Sequence, residues 1–172
     1  MICMKNPYIL VKAEKQAVGG KVKTLEGEAT YNAGDFIVTG IANEQWVVKP
    51  NINNESVPKG YILVNTDENI FRPSGNVFKT CEIANQAGEI KVSWDSTGNT
   101  ILKYDAGDYL IKHDEDDIAP CKKEIFGKTY VVGDSEKEII DKLLNFKFKE
   151  IQKMNEKIAI DGNPNIAKPI NW

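Results

Sequence analysis

Asp105, Asp108, Asp114, Glu115, Asp116 and Asp117 crowd around His113, the one histidine of the chain. Carboxylates at this density can hold a hard cation such as Mg²⁺ or Ca²⁺, which wants several oxygen ligands. Asp108, Asp114 and His113 are the candidate ligands, and with a metal they would be the makings of a hydrolase. The spacing matches no calcium loop, which needs ligands at alternating positions and a closing glutamate. A solvated hairpin turn explains the same run without a metal. A histidine beside carboxylates titrates near neutral pH, with its charged form favoured. No Ser or Cys nucleophile stands at a motif spacing from His113. Pairing with Cys121 would be set by the fold rather than by sequence distance.

A second set of residues suits an anion. Trp46, Phe71, Trp94 and Tyr109 are aromatic, and Lys49, Arg72, Lys112 and Lys122 are cationic. Aromatic faces stack on bases and cations hold phosphate, so such a set can line a groove for a nucleotide or another anionic ligand. The candidate contacts are Trp46, Lys49, Arg72, Tyr109 and Lys122. Arg72 is the one arginine, and its planar fork suits an anion best. Against this stands the ordinary reading, in which the aromatics are core and the cations make surface ion pairs.

Other chemistries lack their residues. No glycine-rich phosphate loop of the common kinds stands before a helix. Cys3, Cys81 and Cys121 form no C-x-x-C pair, so a zinc site is not expected and free thiols are. No cofactor is implied. The net charge of -3 argues against binding nucleic acid through the overall field. No stretch approaches the ~20 apolar residues of a membrane span, and the N-terminal residues lack the apolar run of a signal peptide. The expected location is the cytoplasm, that of the host cell if a phage encodes the chain.

The elements that would position these groups come in two copies. Gly34-Asp35-Phe36-Ile37-Val38 recurs as Gly107-Asp108-Tyr109-Leu110-Ile111, each time after an alanine and three residues after a tyrosine. Upstream, Gln16-Ala17 and Gln86-Ala87 precede short apolar runs. Downstream, Val48-Lys49-Pro50 and Cys121-Lys122-Lys123 fall at matching places. Glycine permits the tight entry to a strand, and aspartate accepts backbone amide protons in an Asx-type turn. Alternation of apolar and polar residues predicts strands at Ile9–Glu14, Lys21–Leu25, Phe36–Thr39 and Gln45–Val48. Others are predicted near Ile90–Trp94, Ile101–Lys103, Tyr109–Lys112 and Thr129–Val132. Residues 7–57 form the first β repeat and 78–132 the second. Residues 58–77 read as a connecting hairpin, with Tyr61-Ile62-Leu63-Val64 open to reading as a degenerate third copy.

The remainder is helical. Ser135 followed by Glu138 is a capping-box pattern. Apolar residues from Ile139 to Ile158 recur at helical intervals, predicting a helix within 135–160 on the order of 30 Å long. Its apolar face is wide enough to serve the sheet and a partner subunit, so a homo-oligomer through this helix is expected. Residues 161–172 read as an extended tail, pinned by Ile170 and Trp172.

Thr24-Leu25-Glu26-Gly27, then Ala33-Gly34-Asp35-Phe36-Ile37-Val38-Thr39-Gly40, then Glu44-Gln45-Trp46 and Lys49-Pro50 resemble a family of small phage and prophage proteins marked by a PGDY-type motif. The second copy is similar at the far end of that pattern, in Pro120-Cys121-Lys122 and Glu124-Ile125-Phe126-Gly127-Lys128-Thr129-Tyr130. The likeness leaves out the C-terminal helix. It implies a mainly β accessory domain of phage origin, with no catalytic residues to carry over. The expected fold is mainly β: two tandem small sheet or barrel-like repeats closed by a long C-terminal helix. The expected function is a non-enzymatic accessory protein that binds a small anionic ligand or a host protein, and one such role is countering host defence. An oligomeric assembly protein and a metal-dependent hydrolase are the alternatives.

Overall fold

Two five-stranded antiparallel sheets carry the chain, as described by a computed structural model over residues 1–95 and 97–160, with side chains to residue 156. The expected tail, with Ile170 and Trp172, lies outside the described residues, as does the side chain of Ile158. The first sheet contains β2 (Val11–Lys15), β5 (Phe36–Thr39), β6 (Gln45–Val48), β9 (Tyr61–Asn65) and β10 (Ile70–Pro73). The second contains β1 (Ile2–Lys5), β11 (Lys79–Ile83), β14 (Tyr109–Asp114), β15 (Asp117–Cys121) and β16 (Tyr130–Gly133). Three two-stranded ladders complete the strands: β3 (Gly20–Lys23) with β4 (Glu28–Tyr31), β7 (Pro50–Asn51) with β8 (Asn54–Pro58), and β12 (Gly88–Lys91) with β13 (Ile101–Tyr104). Helix α1 (Lys123–Thr129) leads into β16, and α2 (Glu136–Ile160) follows it.

The two sheets are built to one register. In the first, the order is β6-β5-β2-β10-β9; in the second it is β15-β14-β11-β1-β16. Ile70 pairs with Lys12 and Phe71 with Val11, as Ile2 pairs with Thr80 and Cys3 with Lys79. Tyr61 opens β9 opposite Pro73, as Tyr130 opens β16 opposite Lys5. Residues 61–73 therefore complete the first sheet, and β9 matches β16 rather than β5 or β14. The first unit is contiguous along the chain. The second takes its fourth strand, β1, from the N-terminus, ahead of the whole first unit.

The Gly–Asp motif is a turn device used twice. Gly34 and Gly107 stand at φ +92° and +93°, a left-handed conformation that glycine adopts without a Cβ penalty. Their amides donate to the carbonyls of Gln16 and Ala84, both at 2.8 Å. This makes Gln16 the counterpart of Ala84, two residues from the Gln16–Gln86 match that the sequence suggests. The following aspartates close the turn. Asp35 Oδ2 accepts the Asn32 amide at 2.8 Å and Lys49 Nζ at 2.7 Å. Asp108 Oδ2 accepts the Asp105 amide and Lys122 Nζ, both at 2.9 Å.

Each sheet buries one face. Val11, Ala13, Phe36, Val38, Tyr61 and Phe71 form the first core. Cys3, Cys81, Ile111 and Phe126 form the second, where Tyr109, Phe126 and Tyr130 stack with centroids 3.7 Å and 4.7 Å apart. The back of β1 takes α2: Met4 packs with Ile139 and Leu143. The helix begins as a capped start should. The Glu138 amide donates to Ser135 Oγ, and Glu138 Oε2 accepts the Asp134 amide. Tyr8 stacks on Phe146 further along the helix, while Leu144, Phe148 and Met154 remain 60%, 62% and 64% exposed.

Candidate functional site

Strand periodicity sends a row of polar side chains to the inner end of the second sheet. Side chains two apart on a strand share a face. Cys3 and Lys5 share one face of β1, Cys81 and Lys79 one face of β11, and Ile111 and His113 one face of β14. The apolar member of each pair is buried in the second core. The polar member lines a cavity of about 1020 Å³ between the two sheets. The first sheet contributes Trp46 and Tyr61, the segment joining β8 to β9 contributes Lys59, and β16 contributes Tyr130.

The clasp between the units forms another wall. Thr24 Oγ1 accepts the amides of Glu26 and Gly27, tightening the turn between β3 and β4. That turn meets the second unit directly: Lys103 donates its amide to the Glu26 carbonyl at 2.7 Å, and Lys122 donates its amide to Glu26 Oε1 at 3.3 Å. Gly27 stands at φ +149°, and a Cβ there would lie 2.9 Å from the Ile101 carbonyl oxygen, so the contact requires glycine. Further along, the Thr30 amide donates to Thr100 Oγ1 at 2.9 Å. Trp94 lines the cavity beside this clasp, and Lys49 Nζ lies 5.6 Å from the centre of its ring.

Lys5 occupies the middle of the aromatic wall. Its Nζ donates to the Tyr61 hydroxyl at 2.5 Å and lies 4.7 Å from the Trp46 ring, 5.1 Å from Tyr61 and 5.8 Å from Tyr130. Ring faces are electron-rich and attract an ammonium. Lys79 contacts His113 Nδ1. Burial, followed by repulsion from Lys5, lowers Lys79 to about 8, with Lys59 adding to the repulsion. The same lysines, after burial, hold His113 well below its ordinary value. The ring is therefore neutral at physiological pH, and its Nδ1 accepts a hydrogen bond from the Lys79 ammonium. The expectation of a charged histidine among carboxylates is corrected here, because its neighbours are ammonium groups.

Among the described residues, Lys5, Lys59 and Lys79 make no ion pair with a carboxylate. The acidic turn Asp114–Asp117 forms a rim of the cavity, with Asp114, Glu115 and Asp116 exposed. Asp117 is the carboxylate that Lys79 feels, and burial raises its pKa against the pull of Lys79 and Lys59. Lys5, Lys59 and Lys79 thus share the cavity with Glu26, Glu44 and the acidic turn, yet no carboxylate among the described residues pairs with any of the three.

Of the residues singled out from sequence, Trp46 and Lys49 line the cavity, as does Trp94. Lys49 spends its charge on Asp35. Lys122 bonds Asp105 and Asp108 outside the cavity lining. Tyr109 stacks on Phe126 in the core. Arg72 lies on β10 and donates to the Pro73 carbonyl at 3.2 Å. Asp108 is taken up by its turn, and no group of three metal-ligating side chains occurs among the described residues. Burial pushes the Cys121 thiol up to about 12, so it supplies no thiolate for His113. Lys5, Lys59, Lys79, Tyr61 and Tyr130 were not among the sequence candidates. The tyrosine at the end of the motif was the one available signal, since Tyr61 and Tyr130 hold matching places.

No family model, curated protein or solved structure matches the chain. Among the described residues, no helix is long and apolar enough to cross a membrane.

Proposed function

We propose that this is a non-enzymatic binding protein that takes a small anionic ligand into the cavity between its two sheets. One observation carries the reading: Lys5, Lys59 and Lys79 converge on an aromatic-walled space without a carboxylate ion pair among the described residues. Bringing like charges together costs stability, and such arrangements cluster at functional sites. An anion seated there would offset the repulsion. The likeness of the Gly34-Asp35 and Gly107-Asp108 segments to phage proteins supports an accessory role, one form of which is countering host defence. Thermal unfolding in a panel of inorganic and organic anions tests the reading. Stabilisation by anions, lost in Lys59→Met/Lys79→Met, supports it; equal melting with and without every anion, in low salt, contradicts it.

A second reading has its own observation. Ile140, Leu144, Phe148, Ile151 and Met154 are all exposed along α2, while Ile139 and Leu143 pack on the sheet. This apolar stripe supports a homo-oligomer assembled through the helix. The two readings are compatible, since the stripe and the cavity use different residues.

A further inference from the structure

The walls of the cavity bear on what it takes, and the inference rests on the anion-binding reading above. Two of the chain's three tryptophans, Trp46 and Trp94, line this one space and are half-buried there. They come from different units: Trp46 from β6 and Trp94 from the segment between β12 and β13. Each has an ammonium over its ring, Lys5 for Trp46 and Lys49 for Trp94. An indole face open to such a space is a platform for a flat ring, because every nucleobase has a π-face to stack. The volume of about 1020 Å³ exceeds what an inorganic anion or a small carboxylate fills. It stands at the upper end of pockets that enclose organic ligands, roughly 300 to 1,000 Å³.

Charge sets the other end of the ligand. Lys5 and Lys79 come from the neighbouring strands β1 and β11 and line the cavity together with Lys59. A single carboxylate would leave most of that charge unmatched, whereas a chain of phosphoryl groups supplies several negative oxygens. Neutral His113 accepts from Lys79 and leaves that ammonium's other protons free to donate. We propose that the ligand is a nucleotide with two or more phosphates, the phosphates held by Lys5, Lys59 and Lys79 and the base stacked on Trp94 or Trp46.

Titration calorimetry with tryptophan fluorescence tests this, using ADP, GDP, CDP and UDP against inorganic pyrophosphate. The expected result is at least one nucleotide binding about tenfold or more tighter than pyrophosphate, with the indole emission quenched, since one stacked base contributes that much. Of Trp94→Leu and Trp46→Leu, the one at the stacking ring should lose most of the difference, and phenylalanine at that position should restore part of it; no loss in either would overturn the stacking. Lys59→Met/Lys79→Met should weaken both ligands. Pyrophosphate binding as tightly as every nucleotide would overturn the nucleotide assignment and leave the anion site standing. Failure of nucleotides and pyrophosphate alike, with circular dichroism unchanged, would overturn both.

Discussion

A lysine that gives up its proton near pH 8 reports on what lies beside it, and Lys79 is such a residue. Its ammonium is needed to hold an anion. Affinity for sulfate, whose own charge is constant over this range, should therefore be steady below pH 8 and fall as pH rises through about 8, in calorimetry at constant ionic strength. Folding responds with the opposite sign. The native value lies below the ordinary 10.5, so the folded state disfavours the charged form. Without an anion, the Lys79 contribution to stability should improve as pH rises from about 8 toward 10.5. Lys79→Met should raise the melting temperature of the free protein at pH 7 by about 2–4 °C per kcal/mol of relieved repulsion, while reducing its stabilisation by anions. The turn aspartates behave otherwise. Burial raises Asp108, but hydrogen bonds from Asp105, Lys122 and Lys123 outweigh it, so its pKa is lowered. Its contribution is present above the ordinary value of 3.8 and lost as pH falls through the lower native one. Asp108→Ala should cost about 2 kcal/mol in denaturant unfolding at neutral pH, because it strips two backbone amides and Lys122 of a buried acceptor. The core of this turn was legible in sequence because Gly107, Asp108 and the Asp105 amide are local, whereas its bonds to Ala84 and Lys122 come from distant segments. The lysine cluster was not, since Lys5, Lys59 and Lys79 meet only after three separate segments fold.

At the scale of elements, the clasp and the two chain-terminal elements carry the weight. Gly27→Ala should destabilise by roughly 1–3 kcal/mol, since it pairs a left-handed backbone with a clash against the Ile101 carbonyl. The sequence marks this segment as a turn, but nothing in it shows that the turn reaches the other unit. Strand β1 was missed altogether. Both its faces are buried, Cys3 in the second core and Met4 against α2, so Ile2-Cys3-Met4 shows no alternation, and its partners β11 and β16 lie far along the chain. Removing residues 1–5 should leave a gap between β11 and β16, and hydrogen exchange should show the second sheet losing protection while β2 and β5 keep theirs. Helix α2 was legible from its period and its cap, because both are local. Its unpaired stripe makes the oligomer testable: Phe148→Lys/Ile151→Lys should give a monomer in light scattering if the helix joins subunits. An unchanged mass would remove α2 from any interface.

The whole molecule is a duplicated sheet in which one strand has come from the other end of the chain. The repeat in the sequence forecast the mainly β architecture, because the same turn chemistry appears at Gly34-Asp35 and Gly107-Asp108, and the apolar period after Ser135 forecast the long C-terminal helix. It did not forecast how the units meet, which depends on one glycine approach, two hydroxyl groups and a borrowed strand. The cavity belongs to that meeting. Each sheet supplies part of the aromatic wall, and the N-terminal strand supplies the lysine at its centre. The most direct measurement is native mass spectrometry of the protein fresh from cells, before and after incubation with nucleoside diphosphates. A small-anion mass retained by the wild type, or taken up on incubation, and absent from folded Lys59→Met/Lys79→Met is the predicted result. A bare chain under every condition, identical for wild type and variant, would contradict the cavity as a binding site.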